Sequence, residues 1–278
     1  MLVKELTQQV KEDLKNYFKE RDYIVISVPK EEPIRLYVLK AVNTLKTVRR
    51  LFNPEGEDAN YLGGVVIGAL LLTSLVKHAS PQKISLEIRL KERRYYAEAD
   101  GKGRVRGFFD NAYSENEILT VTREVGLGKP YTSIVPLVSY DIQESINFYF
   151  YQSEQTRTII GIYVDEGYGF LVQPLGGYKS TVWEDIGKNI KNVELMLKEG
   201  ARPEDIAEVI LRKHKPMLVG LKEVEYYCPC NEEIAKMGVF TLSEEERREI
   251  LDSEGFIEVV CKFCNRIYRF SEGDLRKR

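Results

Sequence analysis

The feature that most constrains this chain is a set of four cysteines confined to its last fifth. They form the pairs Cys228-Pro-Cys230 and Cys261-Lys-Phe-Cys264, with thirty residues between the pairs and no other cysteine among the 278 residues. Two close cysteine pairs in a short segment are typical of a tetrahedral metal site, in which zinc binds thiolate sulfur at about 2.3 Å. We therefore predict that Cys228, Cys230, Cys261 and Cys264 bind one Zn²⁺ per reduced chain.

The spacing of the first pair is unusual, because common zinc ribbons carry Cys-x-x-Cys twice, whereas one residue separates Cys228 from Cys230. Neighbouring thiols this close can oxidise to each other, so the site could be a redox switch as well as a structural element. A segment as small as 225–278 also needs more than a hydrophobic core to stay folded. Zinc would supply on the order of 10 kcal/mol of its folding free energy, so zinc loss is expected to unfold it.

Length, charge and hydropathy limit the class of protein. With 278 residues and 43% hydrophobic content, the chain can form a large core and roughly two domains. Its formal net charge of −2 gives no electrostatic reason to expect nucleic acid as a partner. The longest apolar run, 62–76, is shorter than the roughly 20 residues that cross a bilayer, and the N-terminus shows no signal-peptide pattern. We predict a cytoplasmic protein without a membrane or nucleic-acid partner.

Hydrophobic periodicity predicts a strand-rich first part of the chain. Spacings of three and four residues indicate helices, whereas strict alternation of apolar and polar residues indicates half-buried strands. Asn43 is the predicted N-cap of one of the helices. The predicted elements are a helix at 2–20, a β-hairpin of strands 23–28 and 34–39, helices at 43–52 and 60–78, and several strands between 83 and 175.

Gly176-Gly177 marks a change in composition. Two amphipathic helices, 182–198 and 203–213, are predicted beyond it in a stretch without strands. A capping box of Ser243 and Glu246 then opens a short helix ahead of the second cysteine pair. The predicted class is thus α+β: a strand-rich domain at 1–177 with 1–20 as an extra N-terminal helix, a helical linker at 178–224, and a small zinc-binding module at 225–278.

The remaining candidate motifs do not indicate an enzyme. The segment Asp100-Gly-Lys-Gly-Arg104 lacks the spacing of a phosphate loop and lies between predicted strands, so a hairpin turn is expected there. The two histidines, His78 and His214, lie in no motif, which argues against a Ser-His-Asp or Cys-His catalytic set. No nucleotide-binding loop is found that could support an ATP-driven cycle.

Several segments of the chain occur together in one known family. Their order resembles the bacterial redox-regulated heat-shock chaperone of 33 kilodaltons, a holdase. The resemblance extends from about residue 60 to the C-terminus, while roughly the first 50 residues match poorly and helix 2–20 looks like an addition. The segments are Gly101-Lys-Gly-Arg-Val-Arg-Gly107, Ile134-Val-Pro-Leu137, Asn147-Phe-Tyr-Phe-Tyr-Gln-Ser-Glu-Gln155, the two cysteine pairs and Ile267-Tyr-Arg-Phe270.

The resemblance implies an ATP-independent stress-response chaperone that is inactive when reduced and zinc-bound. Oxidation in the family forms neighbouring disulfides, which here would be Cys228–Cys230 and Cys261–Cys264, and releases zinc. The zinc module and the linker 178–224 would then unfold, and dimers would bind unfolding client proteins. Isolated helices as short as those of the linker are marginal in water, so undocking would expose their apolar faces and the sheet beneath them.

The alternative from another class is a structural zinc-ribbon module of a nucleic-acid-processing or modification protein. The negative net charge, the one-residue spacing of the first pair and the lack of an aromatic and basic stripe around the cysteines argue against it. Filter binding of RNA and DNA at low salt, beside an aggregation assay with a heat-unfolded client, distinguishes the two functions.

Overall fold

The structure is a computed structural model that describes residues 3–76, 81–124, 126, 129–177 and 179–276. The chain forms two compact units, Met1–Tyr226 and Tyr227–Arg278. Both helices and strands are abundant, so the predicted α+β class is confirmed. His78 and the basic residues 277–278 lie outside the described residues.

Eleven strands and seven α-helices are described in the first unit. The strands are β1 Lys4–Glu5, β2 Asp22–Pro29, β3 Ile34–Lys40, β4 Lys83–Arg89, β5 Arg93–Asp100, β6 Arg104–Asn111, β7 Ile118–Glu124, β8 Tyr131–Pro136, β9 Ile159–Tyr163, β10 Tyr168–Pro174 and β11 Pro216–Tyr226. The helices are α1 Gln8–Phe18, α2 Val42–Phe52, α3 Gly56–Thr73, α4 Ile142–Tyr149, α5 Ser180–Asn189, α6 Val193–Lys198 and α7 Pro203–Ile210. A π-helical turn, Phe150–Glu154, continues α4, and a 3₁₀ turn, Ile190–Asn192, joins α5 to α6.

All eleven strands belong to one sheet. Its order is β8-β7-β4-β5-β6-β11-β2-β3-β10-β9, and β1 pairs with β11 beside this path. Neighbouring strands are antiparallel except β11 and β6, which are parallel. The predicted hairpin of β2 and β3 is confirmed, with Tyr23 opposite Lys40 and Ser27 opposite Leu36.

Helix α3 forms the centre of the larger hydrophobic core. Its residues from Tyr61 to Thr73 are all buried, as expected for a helix that is apolar on every side. A Cβ at Gly68 would lie 2.7 Å from Leu86 Cδ1, so glycine is what allows the helix to approach the sheet this closely. The core-helix interpretation of the apolar run is confirmed to Thr73. None of the helices in the described ranges is long and apolar enough to cross a membrane.

The sheet is covered on both faces where β2, β3 and β10 lie. Alternation along β3 directs Tyr37 and Leu39 into the core around α3, while Leu36 and Val38 face a second hydrophobic cluster. This second cluster contains buried residues of α1, α5, α6 and α7. The predicted helices beyond Gly177 therefore pack on the opposite face of the sheet from α3.

The prediction of a strand-free stretch between 178 and 224 is wrong for its last part. Residues 216–226 form β11, which pairs with β2 from Pro216 to Val224 and with β6 at its end. Two features hide this strand in the sequence. The register shifts between Leu218 and Gly220, which interrupts the alternation, and Lys222 is a charged residue at a buried position.

The N-terminal helix is shorter than the predicted 2–20. Lys4 and Glu5 form a short strand with β11, which ends before the helix begins. The Thr7 side chain then accepts a hydrogen bond from the Val10 amide at 3.4 Å, so Thr7 is the N-cap of α1. The apolar pattern continues through β1, because the buried Leu6 belongs to the second cluster without being helical.

The predicted N-cap of α2, Asn43, is also wrong. The N-cap residue is Ala41, and Asn43 lies inside the first turn. The capping group comes instead from the start of β2. There the Asp22 carboxylate accepts hydrogen bonds from the amides of Asn43 at 3.1 Å and Thr44 at 2.6 Å. Burial, the largest effect, raises the pKa of Asp22, although these hydrogen bonds favour its ionised form.

The second unit is small and has little core. It contains α8 Glu232–Val239, α9 Glu244–Glu254, β12 Ile257–Val260, β13 Ile267–Phe270 and α10 Glu272–Arg276. The predicted capping box is present, with the Glu246 amide 3.2 Å from Ser243 Oγ and the Ser243 amide 2.7 Å from the Glu246 carboxylate. The buried apolar residues of its described part are Ala235, Val239, Ile257 and Phe270. A core this small requires another source of stability.

Candidate metal centre

The four predicted ligand sulfurs converge in the second unit. All four lie within 4.8 Å of one another, with 3.6 Å between the Cys228 and Cys261 sulfurs and 3.2 Å between those of Cys230 and Cys264. Four sulfurs at 2.3 Å from a tetrahedral ion would be about 3.8 Å apart, which falls inside this range. Because all four side chains are only half-buried, an ion can reach them. The geometry and the soft thiol donors fit a metal site of the kind that zinc occupies.

A tight turn between β12 and β13 positions the second pair. The carbonyl of Cys261 accepts hydrogen bonds from the amides of Cys264 at 3.3 Å and Asn265 at 2.8 Å. The Cys261 amide in turn donates a hydrogen bond to the carbonyl of Arg266 at 2.9 Å. Asn265 has φ +56°, a left-handed conformation that asparagine tolerates better than most residues. This closed turn brings both sulfurs of Cys-x-x-Cys to the same side.

Helix α8 positions the first pair. The side chain of Asn231 accepts a hydrogen bond from the Ile234 amide at 2.8 Å, so Asn231 is the N-cap of α8, and Cys230 directly precedes this residue. Pro229, between the two cysteines, restricts the backbone of the pair.

The four thiols are not electrostatically equivalent. Burial on its own would raise the pKa of Cys230, but hydrogen bonds outweigh it, first among them the bond from Tyr268, and lower that pKa to about 7. Burial is also the largest effect at Cys228 and Cys264, and there it raises the pKa of each thiol. Without a metal, Cys230 therefore becomes a thiolate more readily than Cys228 or Cys264.

Sequence reasoning missed Tyr268 and Arg266 as parts of this centre. The Tyr268 hydroxyl donates to Cys230 Sγ at 3.3 Å, and the Arg266 guanidinium donates to the Cys230 carbonyl at 3.4 Å. Tyr268 belongs to the segment 267–270, which carries part of the resemblance to the family, whereas Arg266 directly precedes this segment. The hydrogen bonds join residues 36 and 38 positions apart in the chain, so no local pattern shows them.

The other candidate motifs form no metal or phosphate site. The Asp100 carboxylate accepts hydrogen bonds from the amides of Lys102 at 2.9 Å and Arg104 at 3.2 Å. The segment 100–104 is therefore the predicted hairpin turn between β5 and β6. His214 lies in the first unit, with Nε2 3.4 Å from a carboxylate oxygen of Asp185. Within the described ranges, the four cysteines are the one group of three or more His, Cys, Asp or Glu that could hold a metal ion.

Comparison with known proteins establishes the relationship of the chain. The sequence model of the family described as Hsp33 protein matches residues 22–271. The chain belongs to the Hsp33 family. A 33 kDa chaperonin of Aquifex aeolicus (strain VF5) is 45% identical, with 100% of this chain and 95% of that protein covered. A 33 kDa chaperonin of Clostridioides difficile (strain 630) is 28% identical, with 92% and 97% covered.

A solved structure agrees with this assignment. The crystal structure of the 33 kDa chaperonin (Heat shock protein 33 homolog) from Thermotoga maritima matches with a TM-score of 0.79 and 29% identity. The match covers 93% of this chain and 97% of that one. The sequence resemblance to the Hsp33 family is therefore confirmed, and the chain is a chaperone.

The relationship reaches further towards the N-terminus than the sequence segments indicated. The family match begins at residue 22, well before residue 60, and the Aquifex aeolicus relative aligns with the whole chain. Residues 1–20 align with that relative but lie outside the family match, so helix 2–20 stays a predicted addition to the family. Strand β1 and helix α1 contribute to the sheet and to the second cluster.

Proposed function

We propose that this member of the Hsp33 family is a redox-regulated, ATP-independent holdase that binds unfolding proteins under oxidative stress. The observation that carries the proposal is the convergence of four thiols in a unit with a very small core. Cys228, Cys230, Cys261 and Cys264 would bind one Zn²⁺ in the reduced chain, in a reducing cytoplasm. Bound zinc would keep all four sulfurs as thiolates, the form that oxidants attack.

Oxidation of these thiolates removes the metal ligands. Attack of a thiolate on peroxide gives a sulfenic acid and hydroxide, and attack of the neighbouring thiolate on that sulfur gives a disulfide and a second hydroxide. Two such reactions, each consuming one peroxide, produce Cys228–Cys230 and Cys261–Cys264. Neither disulfide retains a thiolate for the metal. Because zinc would supply on the order of 10 kcal/mol of folding free energy, the second unit then unfolds.

The helices α5, α6 and α7 are the proposed moving part of the first unit. The chain runs from α7 through β11 into the cysteine unit, and β11 is hydrogen-bonded to β2 and β6. Release of β11 would break a long strand pairing, whereas release of the helices breaks mainly apolar packing and a few side-chain contacts. We therefore assign the opening to the helices within 180–210 rather than to all of 178–224.

Undocking of these helices would provide a surface for unfolded client proteins. It would expose the apolar side chains of β2, β3 and β10 that the helices cover, together with the apolar faces of the helices themselves. Helices this short do not remain folded alone in water, so the released segment would also be flexible. The oxidised form is proposed to act as a homodimer. The sheet residues concerned are Val25, Ile34, Leu36, Val38, Phe170 and Val172.

Metal analysis and light scattering together test this proposal. Reduced protein is expected to contain one zinc per chain and to suppress aggregation of a heat-unfolded client weakly. Peroxide-treated protein should contain no zinc and suppress aggregation strongly, without ATP. A Cys264→Ser variant should lose high-affinity zinc binding. Equal suppression by reduced and oxidised protein would contradict the redox switch, and well under one zinc per reduced chain would contradict the metal site.

A further inference from the structure

Tyr268 and Arg266 contact Cys230 at two points. The Tyr268 hydroxyl donates to the Cys230 sulfur at 3.3 Å. The Arg266 guanidinium donates to the Tyr268 hydroxyl at 3.5 Å and to the Cys230 carbonyl at 3.4 Å. Arg266 therefore orients the hydroxyl so that its hydrogen points towards the sulfur, and it also fixes the backbone that carries this sulfur.

The hydrogen bond to Cys230 differs in kind from those to its neighbours. Cys228 accepts a hydrogen bond from the backbone amide of Cys230, and Cys264 accepts one from the amide of Arg266. Backbone amides are present whatever the side chain is. The bond to Cys230 instead depends on a single tyrosine hydroxyl, so one substitution can create or remove it.

The hydroxyl has a direct chemical effect on the sulfur. Four thiolates around one Zn²⁺ give the centre a formal charge of −2, and hydrogen-bond donors to the sulfurs disperse this charge. A sulfur lone pair that accepts a hydrogen bond is also less available to an oxidant, because peroxide reacts with that same electron density. The contact therefore favours metal retention and slows attack on Cys230.

We propose that Tyr268, oriented by Arg266, is a positioning residue of the metal centre that stabilises the Cys230 thiolate and raises the oxidant concentration needed to release the metal. This inference rests on the proposed function, because it assigns a regulatory role within the same centre. It makes residue 268 a determinant of the oxidative threshold: phenylalanine there lowers the threshold, and tyrosine raises it.

Tyr268→Phe isolates the hydroxyl from the packing of the ring. The ring packs against the small core of the second unit, and phenylalanine keeps this contact. Removal of an outer hydrogen-bond partner of a metal ligand usually costs 10- to 100-fold in metal affinity, and a neutral donor belongs at the lower end, about 10-fold. Arg266→Gln leaves the hydroxyl in place but unoriented, so its effect should have the same direction and be smaller.

The experiment compares full-length reduced wild type, Tyr268→Phe, Arg266→Gln and the control Arg269→Gln. Arg269 lies on the same strand, is mostly exposed and pairs with Glu258 at 2.9 Å. Three quantities are measured: zinc affinity by chelator competition without oxidant, the sulfur-to-cobalt charge-transfer band of the Co²⁺ form, and the peroxide concentration that releases half the zinc. A purely structural role of the ring would leave the charge-transfer band unchanged.

For Tyr268→Phe, we expect about tenfold weaker zinc binding, a charge-transfer band at lower energy and zinc release at lower peroxide. Arg269→Gln should behave as wild type. Unchanged affinity, band and threshold in Tyr268→Phe, with one zinc in the wild type, would overturn this inference alone. An equal change in Arg269→Gln would overturn it too, because the effect would then not depend on the sulfur contact. Failure of the wild type to bind zinc would instead overturn the proposed function.

Discussion

A buried polar network ties α7 to the sheet, and Arg202→Met tests its role. The Glu204 side chain is 1% exposed and accepts hydrogen bonds from Arg202 Nε at 2.8 Å and from the Tyr23 hydroxyl at 2.7 Å. The Arg202 guanidinium also donates to that hydroxyl at 3.0 Å. Arg202 therefore supplies the positive charge that compensates a buried carboxylate between α7 and β2.

Arg202→Met should cost the first unit about 3 kcal/mol of unfolding free energy. Breaking a buried ion pair by removal of one partner typically costs 3–5 kcal/mol, because the remaining charge is left without compensation. The lower end of this range applies, since the Arg202 side chain is 22% exposed and water can reach the gap. Methionine retains much of the apolar stem of arginine, so little of the loss should come from packing.

Urea unfolding of the reduced full-length protein measures this cost. The matched control is Lys198→Met in the same segment, where the pair with Glu194 at 2.6 Å is about 60% exposed and should contribute little to the free energy of unfolding. Adding Glu204→Leu to Arg202→Met removes the uncompensated charge and should recover at least about 2 kcal/mol. A cost no larger than that of the control, or additive effects in the double variant, would refute this role of the network.

The same variant connects stability with function. If α5, α6 and α7 cover the client surface, weakening their attachment should populate the open form before any oxidation. Reduced Arg202→Met should then suppress client aggregation more than reduced wild type, and Lys198→Met should not. Destabilisation without any rise in the activity of the reduced form would argue that clients bind elsewhere.

Two further substitutions test the account of β11. Burial lowers the pKa of Lys222 from 10.5 to about 8, so the unfolded chain binds the proton more tightly and stability rises with pH between these values. The pKa shift corresponds to a destabilisation of the folded chain by about 3 kcal/mol at pH 7. The hydrogen bond that Lys222 Nζ donates to the Thr73 carbonyl offsets about 1 kcal/mol of this cost. Lys222→Met should thus raise the free energy of unfolding by about 2 kcal/mol at pH 7 and by clearly less at pH 10. An equal increase at both pH values would contradict a lowered pKa of Lys222. Gly103→Ala should cost more than about 3 kcal/mol in urea unfolding, because its φ is +88° and its Cβ would lie 2.0 Å from the Glu223 carbonyl oxygen. Gly200→Ala, with φ +80° and nothing within 4 Å, should cost only about 1 kcal/mol, and equal losses would show that backbone strain alone decides.

Features that depend on neighbouring residues could be predicted from the sequence. The clustering of the four cysteines in the candidate metal centre follows from their spacing, because Cys-x-Cys and Cys-x-x-Cys each place two sulfurs close together. The capping box of Ser243 and Glu246 is likewise a four-residue pattern, and both of its hydrogen bonds are present in the structure. The hairpin of β2 and β3 follows from two alternating stretches joined by a short turn.

Features that depend on distant contacts could not be predicted in this way. Strand β11 forms only because β2 and β6 present free edges on either side of it, and its irregularity at Gly220 hides the alternation. The cap of α2 comes from Asp22, twenty-one residues before the amide of Asn43 that it accepts. The contact of Tyr268 with Cys230 spans 38 positions, so the residue has no local signature.

Hydrogen exchange of the full-length protein tests the central claim most directly: loss of the metal centre releases the helices that cover the sheet. Amide protection is compared by mass spectrometry in reduced, zinc-loaded protein and in peroxide-treated protein. We expect oxidation to abolish protection in α5, α6, α7 and the second unit, while strands β4 to β10 remain protected. If the helices stay protected after the zinc has been released, the coupling of the metal centre to the client surface is contradicted.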